Sequence, residues 1–302
     1  MSPRLRNFDD LLRAAQAAGP KVLAVAAAAD ADILEAVKLA EEQGLCRSLL
    51  VGDEKAIRRI AGEIGLELKA HRIVHEPDPV AAAREAVSLV RQGEAQLLMK
   101  GFLQTSDLLR AVLDKEAGLR TGKSLSHVMV IETAGYDRLL FLTDVAFNVA
   151  PDLARKAELL RNVIEVCHRL GIEQPKAAVL AAVETVNADM PATIDAAMLA
   201  KMADRGQIKG ALVDGPLALD NAISQEAARH KGIGGPVAGQ ADILLLPDIE
   251  AGNMLYKGMV YFAQSRAAGV VVGAKAPVIL LSRADRPESK LLSIALGLQL
   301  ID

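Results

Sequence analysis

Two arginines occupy positions where they could act on a phosphate-bearing ligand. Arg283 follows Ser282 directly after the apolar run APVILL, and the ligands of open α/β sheets collect at the carboxyl ends of such strands. A guanidinium binds phosphate oxygens through a planar fork and keeps its charge. Arg110 falls on a predicted helix, where an exposed ion pair with Asp107 or Asp114 is the structural alternative.

A second strand end carries polar residues of the same kind. Lys100 and Gly101 follow the apolar run QLLM, and Thr105 and Ser106 open the helix after it. Free backbone amides at the start of a helix favour an anion. Either hydroxyl could equally serve only as the helix N-cap.

The elements that must position these residues alternate between short apolar strands and amphipathic helices. Strands are predicted near 21–27, 48–51, 72–74 and 95–99, with helices between them. This alternation predicts a mainly parallel sheet with helices on both faces. Residues 126–131 and 138–142 break the alternation and favour an antiparallel hairpin. Single helices are predicted at 217–230 and 251–267, and a last strand and helix at 278–281 and 287–300.

Length and composition exclude several classes of protein. At ~150 residues per domain, 302 residues should form about two domains. The net charge is −3, which favours neither nucleic acid nor a membrane surface, and only 3% of residues are aromatic. The longest apolar run, 22–29, is too short for a membrane span. With only Cys46 and Cys167 available for disulfides, we expect a reducing cytoplasm.

Other catalytic motifs are missing or weak. No GxxxxGK[ST] loop occurs, and GIGGP at 232–236 follows a predicted helix rather than a strand. His71 and His75 flank a strand-like segment without an obvious third metal ligand. Cys167 is followed by His168, but neighbouring helical residues point to different sides, so Cys167 is predicted to be a core residue. We expect no metal site.

Long blocks of the sequence resemble the phosphotransacylase family, and its butyryl-transferring branch in particular. They are LLMKGFLQTSDLLRAVLDKEAGLRTGKSLSHVMVIE at 97–132, RLLFLTDVAFNVAP at 138–151, AAMLAKMADRGQIKGALVDGPLALDNAIS at 196–224, PVAGQADILLLPDIEAGNMLYK at 236–257 and APVILLSRAD at 276–285. The resemblance covers nearly the whole chain in order. Several long blocks at consistent spacing are more specific than one short motif.

The resemblance implies reversible acyl transfer, in which an acyl-CoA and phosphate give an acyl phosphate and free coenzyme A. Coenzyme A is then a substrate, and no cofactor is bound permanently. The implied fold has two α/β/α sandwich domains with mainly parallel sheets, like those of isocitrate and isopropylmalate dehydrogenases. We assign 1–122 with 272–302 to the first domain and 123–271 to the second, with the active-site cleft between them. A homodimer or higher homo-oligomer is expected.

The resemblance also gives the candidate residues their roles. Ser282 and Arg283 match the family's active-site pair, and Arg110 matches an active-site arginine of its acetyl-transferring members. Those members place an aspartate seven positions after the serine, where this chain has Ser289. The general base is therefore open between Asp285 and Glu288, unless both are ordinary solvated carboxylates.

Gly252 and Asn253 belong to the matching block AGNMLYK, where they could bind substrate or simply form a structural turn. Two other functions compete with acyl transfer. They are a nicotinamide-dependent dehydrogenase of the related fold and a non-catalytic protein that binds coenzyme A. The acyl chain is also open, because one methylene in an apolar pocket is worth only ~1–3 kcal/mol of selectivity.

Overall fold

The computed structural model describes residues 4–69, 71–280 and 285–301. The strands are β1 Lys21–Ala26, β2 Cys46–Gly52, β3 Arg72–His75, β4 Leu97–Lys100, β5 Ser126–Glu132, β6 Leu140–Thr143, β7 Lys176–Leu180, β8 Leu212–Leu217, β9 Ile243–Leu245, β10 Arg266–Val272 and β11 Val278–Ile279. The helices are α1 Phe8–Ala17, α2 Ala31–Glu42, α3 Glu54–Ile64, α4 Pro79–Arg91, α5 Thr105–Val112, α6 Leu153–Arg169, α7 Pro191–Asp204, α8 Leu219–Ile223, α9 Gln225–His230, α10 Ile249–Tyr261 and α11 Pro287–Gln299.

The chain divides into two compact units. Unit I comprises Asp9–Leu125 with Ala268–Asp302, and unit II comprises Met1–Phe8 with Ser126–Ala267. The start of the chain therefore differs from our assignment of 1–122 to one domain. Leu5 donates its backbone N–H to Leu170 O (3.2 Å), and Arg4 pairs with Asp242 (2.9 Å), so these residues are held in unit II. The domain boundaries assigned from the sequence, and the active-site cleft expected between the two domains, remain predictions.

In unit I the strands are ordered β3-β2-β1-β4-β11-β10. The first five run parallel, and β10 pairs antiparallel with β11. Ala26 lies opposite Lys100, and Ile279 lies opposite Met99. The carboxyl ends of β1, β4 and β11 therefore meet on one side of the sheet, which we call the carboxyl edge. It comprises residues 27–30, 101–104 and 280.

Aspartates fix where three helices of unit I begin. The side chains of Asp30, Asp53 and Asp78 accept hydrogen bonds from backbone amides in the first turns of α2, α3 and α4. Such caps satisfy amides that have no partner within the helix. Helix α2 packs against α3 and α11, and α4 packs against α5 and the strands. Of the three caps, Asp30 is part of the carboxyl edge, where it fixes the start of α2.

Unit II has the strand order β5-β6-β9-β7-β8. Strands β5 and β6 form the predicted antiparallel pair, with Met129 opposite Leu142, and the remaining pairs are parallel. Its core is mostly aliphatic, in keeping with a composition that is poor in aromatics. It includes Met129, Ile131, Leu140, Leu142, Leu180, Leu217 and Leu244.

Two predicted elements were wrong. The helix predicted at 217–230 is two short helices, because Ser224 adopts an extended backbone and accepts a hydrogen bond from Ala227 N, which starts α9. The helix predicted at 251–267 ends at Tyr261, and Arg266 begins strand β10. Between them Gln264 has a φ of +52°, a conformation that a helix cannot contain. The prediction extended the helix through Arg266 and Ala267 and so missed β10, although that strand ends in Val270, Val271 and Val272.

Candidate active site

Gly101 allows two strand ends of unit I to approach each other closely. Its backbone N–H donates to Ala26 O and that of Phe102 donates to Ala27 O, both at 2.8 Å. A Cβ on Gly101 would fall on those same two carbonyl oxygens. Ala27 has a φ of +55°, which turns the chain at this contact. Glycine is therefore required here by the backbone, whatever ligand the edge holds.

Lys100 places a positive charge at the same edge. It is only 7% exposed, and its ammonium donates to Leu103 O at 3.1 Å and to Gly101 O at 3.3 Å. An ammonium removed from water acts more strongly on a nearby anion than an exposed one does. Lys100 can therefore contribute to an anion site on this edge.

Thr105 and Ser106 are the first two residues of α5, and both are exposed. Gln104 is the N-cap, and its side chain makes no capping hydrogen bond. The alternative that Thr105 or Ser106 is the N-cap was therefore wrong. Both hydroxyls lie beside the first amides of α5, a position that suits hydrogen bonding to an anion.

Arg110 lies in the last turn of α5 and forms the ion pair that the spacing allows. Its guanidinium is 2.9 Å from the Asp107 carboxylate, and its side chain is 70% exposed. The pair borders a small cavity between α4 and α5, of about 170 Å³, that Arg84 also lines. Asp114, the other possible partner of Arg110, accepts hydrogen bonds from the backbone amides of Ala117 and Glu116 instead, and these bonds lower the pKa of its carboxyl group.

Ser282 and Arg283 lie outside the described residues. The strand before them, β11, ends at Ile279, level with Met99 at the end of β4. After them, Asp285 is half-buried, and Glu288 is exposed in the first turn of α11. The two candidate bases thus lie on either side of the point where α11 begins.

Gly252 and Asn253 belong to unit II, and both lie within α10 rather than in a turn. Asn253 donates its side-chain amide to Val145 O at 3.1 Å. A Cβ on Gly252 would meet Asp144 O. These contacts pack α10 against the loop that follows β6. The structure gives both residues a packing role, and their part in substrate binding stays a prediction.

Asp144 is a buried carboxylate that our sequence reasoning did not single out. One oxygen accepts from the amides of Ala146 (2.7 Å) and Phe147 (3.1 Å). The other accepts from His127 N (2.8 Å) and the Asn148 side chain (2.7 Å). These bonds hold a loop that lines an open groove of about 470 Å³, continued by Pro151, Asp152 and Arg155. The signal in the sequence was an aspartate directly after the buried strand LFLT.

The alternative chemistries find little support in the described part of the chain. Burial raises the pKa of the Cys46 thiol to about 12 and that of Cys167 well above its usual value, so neither is a ready nucleophile. His168 contacts Gly210 O at 2.8 Å, which leaves Cys167 without that base. His71 pairs with Glu41, and His75 accepts from Glu54 N.

The remaining motifs and the helices of the described residues also give no support to another chemistry or to a membrane span. The GIGGP segment follows α9 and so does not connect a strand to a helix. No cluster of three or more metal-ligating side chains occurs among the described residues. None of the helices described is both long and apolar enough to cross a membrane.

Comparison with known proteins defines the class. A solved structure of a branched-chain phosphotransacylase from Enterococcus faecalis V583 matches 93% of this chain and 98% of its own, with a TM-score of 0.83 and 36% identity. The sequence is 53% identical to a phosphate butyryltransferase of Clostridium beijerinckii, covering 97% of both chains. It is 47% identical to a phosphate acetyltransferase of Rhizobium meliloti, covering 96% of this chain and 92% of that one.

These likenesses identify an acyltransferase with the phosphotransacylase fold. A family model described as "Phosphate acetyl/butaryl transferase" matches residues 79–298, and the chain belongs to that family. The resemblance stated from the sequence is therefore confirmed, as are the predicted α/β fold class and the assignment as an enzyme.

Proposed function

We propose that this chain converts a short acyl-CoA and phosphate reversibly into an acyl phosphate and coenzyme A, with butyryl-CoA favoured among the acyl donors. The observation that carries the proposal is 53% identity over 97% of both chains to a phosphate butyryltransferase. The acetyltransferase relative at 47% identity makes acetyl-CoA the second candidate substrate.

In the proposed reaction a phosphate oxygen attacks the thioester carbonyl. The carbonyl oxygen takes up negative charge, and the intermediate collapses as the carbon–sulfur bond breaks and the sulfur leaves with the electron pair. Arg283 would bind phosphate and neutralise the developing charge, while Ser282 would donate its hydroxyl to phosphate or to the thioester oxygen. Arg110, Lys100, Gly101, Thr105 and Ser106 would complete the anion site.

The sulfur must gain a proton as coenzyme A leaves and lose it in the reverse direction. A thiol of this type has a pKa of ~8.5, so a carboxylate within hydrogen-bonding reach would assist its ionisation. We assign this role to Asp285 or Glu288. The half-burial of Asp285 favours it over the exposed Glu288.

We further propose that the acyl group passes directly from sulfur to phosphate, without an acyl-enzyme. The raised pKa values of Cys46 and Cys167 support this, since neither side chain supplies a thiolate near neutral pH.

A thiol-release assay over acetyl-, propionyl-, butyryl-, isobutyryl- and isovaleryl-CoA tests the function. We expect release that requires phosphate but no added metal or nicotinamide, with the highest kcat/KM for butyryl-CoA. A higher value for acetyl-CoA would move the protein to the acetyl-transferring branch. Thiol release without phosphate would indicate a hydrolase, and no release with any acyl-CoA would favour a binding protein or a dehydrogenase.

The role of Arg283 is tested by Arg283→Lys, which keeps the charge and loses the fork. If the fork matters, kcat/KM should fall by roughly 10²-fold or more, the scale for losing one preorganised donor to an oxyanion. Arg59→Lys is a matched control, because Arg59 is an exposed residue of α3 paired with Glu63. A well-folded Arg283→Lys variant with near-normal turnover would refute the assignment.

We also propose an assembly and a location for this chain. Met254, Tyr261 and Phe262 are exposed apolar side chains in and just after α10, and Phe262 is 93% exposed. Apolar surface of this kind supports the predicted homodimer, which light scattering can test. We retain the predicted cytoplasmic location and the absence of a permanently bound cofactor as proposals.

A further inference from the structure

Lys290 is a charged residue buried among the apolar residues of α11. Its side chain is only 2% exposed, and it ranks among the largest fully buried side chains of the described residues. The ammonium lies 3.7 Å from the Asp32 carboxylate, which is too far for a normal hydrogen bond. Among the residues described, no other carboxylate lies within ion-pair distance of it. Burying an ammonium with so little compensation is costly, so a further source of negative charge is expected nearby.

The fold places this ammonium beside the carboxyl edge of unit I. Lys290 lies in the first turns of α11, four residues after the N-cap Arg286. Asp32, which it approaches, lies in the first turn of α2, just after the loop that follows β1. Strand β4 runs between β1 and β11 and ends at Lys100. Lys290 and Lys100 therefore bring two buried positive charges to the loops at one edge.

Asp32 offsets this charge only in part. Its carboxylate is 61% exposed, so water screens its attraction for Lys290. The two buried ammonium groups favour a small dianion over a neutral or monoanionic ligand at this edge, in opposition to the carboxylates of Asp32, Asp285 and Glu288.

We infer that Lys290 is a further determinant of phosphate affinity, which supplies a buried positive charge behind the phosphate site without being needed for the transfer step. The inference rests on the proposed function for the identity of the anion. Lys290 acts here through the electric field of its charge, so loss of that charge should change KM for phosphate more than kcat. Asp32 opposes it, so loss of the Asp32 charge should change KM in the other direction.

Two variants test this opposition. Lys290→Met keeps the length of the side chain and removes its charge, and we expect KM for phosphate to rise about tenfold with kcat within about threefold. Asp32→Asn removes the opposing charge, and KM for phosphate should fall by about two- to threefold. Lys55→Met, at an exposed position of α3, removes the same charge elsewhere and should leave KM unchanged.

A structural ion pair predicts something else. Both variants would then lower the melting temperature, and neither would shift KM for phosphate. A folded Lys290→Met enzyme with normal KM would overturn the inference. If Lys290→Met does not fold, the test rests on Asp32→Asn, and an unchanged or raised KM for phosphate in that variant would overturn the inference.

Phosphate binding without turnover separates this inference from the proposed reaction. A ligand that binds only the folded state raises the melting temperature, so inorganic phosphate should stabilise the wild type more than Lys290→Met. If phosphate raises the melting temperature of the wild type more than that of Lys290→Met while no acyl-CoA releases thiol, the proposed reaction is refuted and the role of Lys290 in phosphate binding is supported. If thiol is released but phosphate raises the melting temperatures of the wild type and Lys290→Met equally, the proposed reaction is supported and the role of Lys290 is refuted.

Discussion

Replacing Asp144 by Asn should destabilise unit II strongly. In the native protein the two carboxylate oxygens accept four hydrogen bonds, two on each oxygen. An Asn side chain offers one acceptor oxygen, so two of the four donors would face an N–H group instead. A donor left without its partner in a buried site costs about 1–3 kcal/mol. Two of them should lower the free energy of unfolding by about 4 kcal/mol.

Thermal unfolding followed by circular dichroism measures this effect. At about 2–4 °C per kcal/mol for chains of 150–250 residues, Asp144→Asn should lower the melting temperature by about 10 °C. Asp137→Asn is the control, since that carboxylate is 77% exposed in its pair with Arg138 and should contribute less than about 1 kcal/mol. Asn148→Ala removes the side-chain donor to Asp144 and leaves its three backbone donors in place, so its effect should lie between those two.

The comparison among the three variants decides the question. If Asp144→Asn melts within about 2 °C of the wild type, the four hydrogen bonds do not stabilise the loop as argued. If Asn148→Ala costs as much as Asp144→Asn, the side-chain amide carries the effect and the backbone donors do not.

Two further predictions concern the glycine contact and the cysteines. Gly101→Ala should fold poorly and lose turnover, because its Cβ would clash with the Ala26 and Ala27 carbonyl oxygens. The control Gly62→Ala, in an open part of α3, should raise the free energy of unfolding by up to about 1 kcal/mol. Equal melting temperatures for the two variants would refute the clash. The double variant Cys46→Ala with Cys167→Ala should keep kcat, and intact-mass measurement during turnover should find no acylated wild-type protein. Because the folded-state pKa of Cys46 is raised from 9.0 to about 12, its contribution to stability is present below about pH 9 and is lost as pH rises towards 12. The melting temperature of the double variant should therefore fall less between pH 9 and 11 than that of the wild type.

Hydrophobic periodicity was sufficient to locate most elements. Asp30, Asp53 and Asp78 each follow one of the predicted strands, and each is an N-cap in the structure. Strand β10 was missed because its first residues, Arg266 and Ala267, were assigned to the preceding helix, although Val270, Val271 and Val272 carry the β-branched signal of a strand. The backbone turn at Gln264 that separates α10 from β10 has no marker in the residue type.

The candidate site shows a different limit. Sequence position placed Lys100 and Gly101 correctly at a strand end, but it could not reveal that Gly101 is needed for contact with Ala26 and Ala27. The same residue type suits a phosphate loop and a close backbone approach. Only the register of β1 against β4 distinguishes the two, and register depends on contacts distant in sequence.

Lys290 interrupts the buried face of α11, and this interruption indicates function more directly than the hydrophobic pattern does. Helix α11 buries Ser293, Ile294 and Gly297, which lie three, four and seven residues after Lys290 and so share its helical face. A lysine in that register contradicts the apolar stripe, and lysine is almost never fully buried without a partner. Lys290 lies seven residues after Arg283 of the predicted active-site pair, and this proximity in sequence favours a functional reason for its charge over a structural one. The opposite shifts in phosphate KM expected for Lys290→Met and Asp32→Asn follow from that reasoning, since an ion pair kept only for stability would leave KM for phosphate unchanged in both variants.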